Sequence, residues 1–118
     1  FFCDYGFGIH IGEHTFINTN CVFLDEAPIM IGDRVNIAPG VQLTTADHPR
    51  EPELRLQGIE FSRPISIGDG VWIGAGAIVC PGVSVGEGAI IGAGSVVIRD
   101  IPPRVMAAGN PCRVIREL

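Results

Sequence analysis

The His48-Pro49 step is where this sequence can begin to do chemistry. Imidazole is the side chain whose ordinary pKa suits proton abstraction near neutrality. Asp47 beside it, or a backbone carbonyl, is placed to fix the imidazole tautomer. The plainer reading is that His48 caps a loop, and spacing alone leaves both open. Two acids, Asp25 and Glu26, sit together in FLDEAPIM, where an otherwise regular pattern gains residues. Such a bulge re-aims side chains and is over-represented beside active sites. His10 and His14 flank IGE four residues apart, which puts them on different parts of the pattern, solvated or in a subunit contact. Arg99, Arg113 and Arg116 gather toward the end of the chain, where planar guanidinium forks suit phosphate. Arg104, in IPPRV, is a near neighbour with a weaker claim.

The elements that must position these residues follow from a six-residue period. From Ile67 the chain reads IGDGVW, IGAGAI, VCPGVS, VGEGAI, IGAGSV, and the same frame runs upstream through IGEHTF, INTNCV, IGDRVN and IAPGVQ. Neither a helix nor an ordinary strand gives a period of six, but a short strand plus a tight corner does. Gly40, Gly70, Gly76, Gly82, Gly88 and Gly94 hold the fourth position, where positive φ costs glycine nothing. His14, Asn20 and Arg34 stand there in other hexads, and Arg34 is the strained case. Three hexads close a triangular coil, so Ile31–His48, Ile67–Ser84 and Val85–Pro102 read as coils. Ile11–Met30 is a fourth with two extra residues. Stacked at about 4.8 Å, four coils make a prism roughly 19 Å tall. Ile and Val at the first positions point inward as a narrow apolar column.

The pattern breaks a second time after LTTADH. An excursion spanning about 49–66 carries mixed charge and prolines and reads as an ordered external loop. A histidine at its root can reach off the prism wall. Near the end, Pro111 in Gly109-Asn110-Pro111 cannot donate to a ladder, so stacking stops there. The tail, about 103–118, finishes as a short strand or helix over the last coil.

Composition narrows the function classes. The 118 residues form one domain, all-β, and 16 Gly with 9 Pro in no low-complexity tract is corner chemistry rather than disorder. A net charge of −5 argues against a nucleic-acid partner, and no apolar run approaches membrane-spanning length. Cys3, Cys21, Cys80 and Cys112 are scattered, which reads as reduced thiols in a cytoplasmic protein. A column this narrow buries little per chain, so an oligomer is expected. The opening FFCDYGFG, with no Met, reads as the middle of a longer protein.

The hexads, INTNCVFLD, TADHP, the loop, SIGDGVWIGAGAIVCPGVSVGEGAIIGAGSVV and AAGNPCRVIREL together resemble the bacterial maltose/galactoside O-acetyltransferases. FCDYG and NCVFLD look closer to the maltose branch. The resemblance implies a left-handed parallel β-helix, a homotrimer with sites between subunits, and acetyl transfer from acetyl-CoA to a sugar hydroxyl. It makes His48 the general base and Asn18 an active-site amide. It places Asp25 and Glu26, and after them Asp4, against the acceptor. Where the galactoside enzymes have two aspartates, the second position here is Glu26. It also assigns the coenzyme to Trp72, Ala75, Gly76, Ala93, Gly94, Ile98, Arg99, Arg113 and Arg116, with Ala75 and Ile98 standing for a common Ser and Thr. No metal is expected. In the sugar enzymes a preceding helical segment supplies a further acceptor-binding acid.

Other readings are kept open. The same solenoid and a catalytic histidine serve acetyltransferases for serine, antibiotics or sugar nucleotides. A γ-carbonic-anhydrase-like enzyme would need three converging histidines. His10 lies about two coils before His48, and His14 falls on another side. A non-catalytic scaffold would need no long loop.

Overall fold

In the computed structural model, which describes residues 1–118, the hexads wind into a three-sided prism. Strand β1 (Phe2–Cys3) starts side three. The first coil is β2 (Ile9–Ile11) on side one, β3 (Phe16–Ile17) on side two and β4 (Val22–Leu24) on side three. The second repeats this order with β5 (Ile29–Ile31), β6 (Asn36–Ile37) and β7 (Gln42–Thr44). The excursion contributes β8 (Ala46–Asp47), α1 (Pro52–Leu56) and β9 (Phe61–Ser62). The third coil is β10 (Ile65–Ile67), β11 (Trp72–Ile73) and β12 (Ile78–Val79); the fourth is β13 (Ser84–Val85), β14 (Ile90–Ile91) and β15 (Val96–Val97). After a bridge from Ile101 to Val85, β16 (Val105–Gly109) closes side two and β17 (Cys112–Glu117) folds back antiparallel beside it. Partial layers thus lie at both ends of the four expected coils.

The prism winds left-handed. The usual right-handed crossover follows from a twisted strand feeding a helix back onto its sheet. Strands of two or three residues, joined by tight corners without crossover helices, escape that argument.

Register follows the sequence period. Trp72 pairs with Ile90 and Ile78 with Val96, eighteen residues on in each case. Ile9 pairs with Ile29, twenty on, which accommodates the two extra residues at the bulge. Ile29 pairs with Ile65, thirty-six on, so the excursion adds one coil's worth of chain without a layer. The coil resumes at Ile65 rather than Ile67, because Ile65 and Ser66 already pair with Ile29 and Met30.

The apolar interior is a cluster of 23 buried residues. First-position residues such as Ile31, Ile37, Ile67, Ile73 and Val79 are in it, as expected. So are fifth-position residues such as Val35, Val41, Val71 and Ala77, which makes the column wider than the first positions alone. Ile11 departs from the rule and is 42% exposed, because β2 is the terminal strand of side one and nothing stacks beyond it.

The corners behave as the fourth positions predict. The six glycines have φ between 68° and 81°, and His14, Asn20 and Arg34 share that region at 58°, 61° and 54°. Arg104, at 55°, is a further case that the sequence did not flag. Second-position glycines do different work. A Cβ on Gly74 would lie 2.5 Å from the backbone N of Ala93, and one on Gly68 2.7 Å from that of Glu87. These positions let successive layers touch backbone to backbone.

Candidate functional site

The excursion leaves the prism at the edge between sides three and one, through a neck in which Ala46 pairs with Ser62 and Asp47 with Phe61. Asp47 ties this neck. Its carboxylate accepts the His48 backbone N–H at 2.8 Å, Arg63 Nη2 at 2.5 Å and Arg50 Nη1 at 3.4 Å. Beyond it, the Arg55 guanidinium donates to the carbonyls of Pro49 and Arg50 and staples α1 to the loop. The tautomer-fixing role considered for Asp47 is not what it does here: the contact is to the main chain of His48, and the imidazole stands exposed beside a cleft lined by Leu54, Phe61 and Arg63.

The His48 N–H and the two guanidinium groups hold the Asp47 carboxyl below the usual carboxylate range, against an opposing effect of burial. The folded protein therefore holds fewer protons here than the unfolded chain as the pH approaches and passes about 4. The stabilisation is complete above that value and is lost as the pH falls through the lowered folded pKa. Hydrogen exchange at the His48 amide, measured from pH 6 down to pH 3 and corrected for intrinsic rates, is expected to speed up in the acid range. Asp47→Asn should abolish that pH dependence, and an unchanged acid profile in the variant would count against this account.

Three other candidates share this edge. Asp4 lies in the turn from β1 to β2, and Asp25 and Glu26 lie in the bulge between β4 and β5. Glu26 and Asp4 are exposed. Asp25, expected from the resemblance to face an acceptor hydroxyl, instead turns inward and is 2% exposed. Its carboxylate accepts the N–H groups of Tyr5, Gly6 and Gly8 at 2.9, 2.9 and 3.0 Å. Burial raises its pKa, and these bonds outweigh burial, so the net shift is downward.

Asn18 lies on a different edge, between sides two and three, and its side-chain oxygen accepts the Thr19 N–H at 2.8 Å. Ala75, Gly76, Ala93 and Gly94 continue this edge through the third and fourth coils, all exposed, and a Cβ on Gly76 or Gly94 would meet nothing within 4 Å. The small residues leave an open channel along the prism. Trp72 projects from the middle of side two, 52% exposed. Ile98 and Arg99 belong to the His48 edge, near its C-terminal end, and share a small cleft with Pro111, Cys112 and Arg113. Arg116, on β17 opposite Met106, is outside that cleft.

The single chain thus brings His48, Glu26 and Asp4 to one edge and sets Asn18 with the open channel on another, with the whole of side three between them. The histidines do not meet either. His10 points out from side one and His14 turns the edge between sides one and two. No three His, Cys, Asp or Glu side chains gather closely enough to hold a metal ion. All four cysteines are free thiols; burial pushes the thiols of Cys80 and Cys112 up, aided at Cys80 by the Asp47 charge and opposed at Cys112 by Ser95. No helix is long and apolar enough to cross a membrane.

The sequence reading missed Thr45 and Arg63. Thr45 is one of two threonines in LTTADH, and nothing in the repeat separates the buried one from its neighbour. Arg63 is one of several charges in the excursion, and only the neck pairing brings it to Asp47.

Residues 64–99 match the family model described as bacterial transferase hexapeptide (six repeats), and residues 8–45 match hexapeptide repeat of succinyl-transferase. The galactoside O-acetyltransferase of Escherichia coli strain K12 is 50% identical over 98% of this chain and 57% of its own length. A maltose O-acetyltransferase from Clostridium difficile 630 superposes with a TM-score of 0.97 at 55% identity, over 99% of this chain and 63% of that one. A galactoside acetyltransferase in complex with coenzyme A gives 0.96 at 50% identity, over 98% and 58%. The chain therefore spans about three-fifths of the length of these relatives. In repeat, winding and sequence, the chain is a hexapeptide-repeat protein similar along almost its whole length to maltose and galactoside O-acetyltransferases.

Proposed function

We propose that the protein transfers acetyl from acetyl-CoA to a hydroxyl of a sugar of the maltose, glucose or galactoside type. The observation that carries this reading is the position of His48, exposed at the neck of the excursion on the same edge as Glu26 and Asp4. The imidazole takes the hydroxyl proton as the oxygen attacks the thioester carbonyl; the C–S bond then breaks, and the imidazolium returns the proton to the departing thiolate, so the coenzyme leaves as thiol. A sugar alcohol is a feeble nucleophile, so general-base help of about 10² to 10⁴ is what the reaction needs. No acyl-enzyme forms, and the cysteines are bystanders. Glu26 and Asp4 bind acceptor hydroxyls. The Asn18 amide bonds substrate or the developing oxyanion.

The donor lies extended along the open channel of Ala75, Gly76, Ala93 and Gly94, beside Trp72, with its phosphates toward Arg99, Arg113 and Arg116. Because the two residue groups lie on different edges, the working site draws them from neighbouring copies of a homotrimer. The coenzyme-bound relative supports the donor, and the names of the relatives support a sugar acceptor.

Thiol release from acetyl-CoA, followed against a panel of sugars, amino acids and aminoglycosides, tests the reading. Maltose, glucose or a galactoside is expected to give the fastest release. Preference for serine or an aminoglycoside would replace the acceptor, and no release with any of them would remove the activity.

A further inference from the structure

Glu26 and His48 sit on successive layers of one edge, and the polar groups that join those layers are buried. Thr45, fully buried, donates its hydroxyl to the Leu24 carbonyl at 2.7 Å and accepts the Ala27 N–H at 3.0 Å. Its own carbonyl accepts the Arg63 N–H at 2.9 Å, which carries the connection into the neck that holds His48. On the other side of the bulge, the Asp25 carboxylate holds the three N–H groups of the turn that contains Asp4. Asp25 and Ala27 flank Glu26 directly, so each neighbour of Glu26 is fixed by a buried side-chain bond to a different layer.

We propose that Asp25 and Thr45 form a clamp that positions the acceptor side of the site, setting Asp4, Glu26 and His48 in register without touching the acceptor. This rests on the acetyl-transfer reading. The clamp spans the bulge, where the chain holds two extra residues. Regular corners combine ladder bonds with side-chain bonds, as where the Thr15 hydroxyl donates to the Gly32 carbonyl and accepts the Val35 N–H. At the bulge the Ala27 N–H lies outside the ladder and takes a side-chain partner instead, which holds the corner in one conformation. Burial makes those bonds costly to lose, because an unpaired buried group forfeits its full desolvation cost. Direct binding by Asp25 would need its carboxylate free and facing solvent, and it is neither.

The test uses Thr45→Val, which keeps the shape and removes the hydroxyl, Thr45→Ser, which restores it, and Asp25→Asn. Turnover is measured with maltose and acetyl-CoA varied separately, and maltose binding to the coenzyme A-saturated protein is measured by calorimetry. Thr45→Val and Asp25→Asn are expected to raise the maltose KM and Kd about tenfold or more, the effect of one unpaired buried group. The KM for acetyl-CoA should stay within about twofold, and Thr45→Ser should behave as the unaltered protein. Amide exchange should accelerate at Tyr5, Gly6 and Gly8 in Asp25→Asn, and at Ala27 in Thr45→Val. Faster exchange with an unchanged maltose KM and Kd would reduce the clamp to a structural device and overturn the proposal. Equal rises in both KM values, or failure of Thr45→Ser to restore binding, would do the same. Maltose binding that weakens in the variants while the unaltered protein shows no turnover would sink the acetyl-transfer reading and leave the clamp standing. No binding of maltose, glucose or a galactoside by the unaltered protein would end both.

Discussion

His48→Ala is expected to lower acetyl transfer by about 10²-fold or more, with the oligomer and coenzyme A affinity unchanged. The imidazole is exposed and makes no bond that holds the fold, since the neck is tied through the His48 backbone N–H, which alanine keeps. The Asp47 bonds to Arg63 and Arg50 likewise survive the substitution. The loss should therefore appear in turnover rather than in thermal stability. If His48 only capped the loop, the variant would turn over at nearly the normal rate, and that result would sink the general-base assignment. Steady-state kinetics with maltose and acetyl-CoA, beside sedimentation and coenzyme titration, separates the two outcomes.

Gly74→Ala should destabilise this prism by about 3 kcal/mol or more, at the upper end of overpacking costs. Its Cβ would sit 2.5 Å from the backbone N of Ala93, in the next layer, and backbone cannot rotate away as a side chain can. Relief requires the third and fourth coils to part, which weakens ladder bonds such as Gly74 N–H to the Ile91 carbonyl at 2.8 Å. Gly76→Ala is the control, two residues along the same hexad. Its Cβ would meet nothing, so only the strain of φ near 70° remains, about 1 to 2 kcal/mol. Denaturant melts of the two variants are expected to rank Gly74→Ala well below Gly76→Ala. The reverse order would show that corner conformation, and not layer contact, limits the stacking.

The contrast between these glycines shows how far the sequence can be read. The fourth-position glycines are legible from spacing, because a corner every six residues needs positive φ whatever the rest of the chain does. The second-position glycines carry no such signature, since what they avoid is in the next layer, nineteen residues along the chain for Gly68 and Gly74, and in contact only after winding. The fifth-position valines belong to the same class. Their burial depends on how a corner turns back toward the axis, which a linear pattern does not display.

At the site the division is similar. The two breaks in the period located Asp25, Glu26 and His48, because a bulge and a loop root are visible as failures of a count. The direction in which each acid points was not visible. Asp25 and Glu26 are adjacent and chemically alike, yet one is buried under three N–H groups and the other faces solvent. Only the turn of the preceding coil, brought over Asp25 by stacking, distinguishes them. Asn18 and His48, which the resemblance puts in active sites between subunits, stand on different edges of the single chain, and the sequence does not say which edge each takes.

What the sequence determined by itself was the period, and with it the three-sided coil, the apolar first positions and the two places where chemistry can leave the wall. These depend on local steric preference and on the alternation of inward and outward residues, both of which act over a few residues. The tertiary structure alone decided which buried polar groups hold the bulge, which glycines keep layers in contact, and which candidates share an edge. Those depend on contacts between residues seventeen or more positions apart, whose geometry exists only once the coils are stacked.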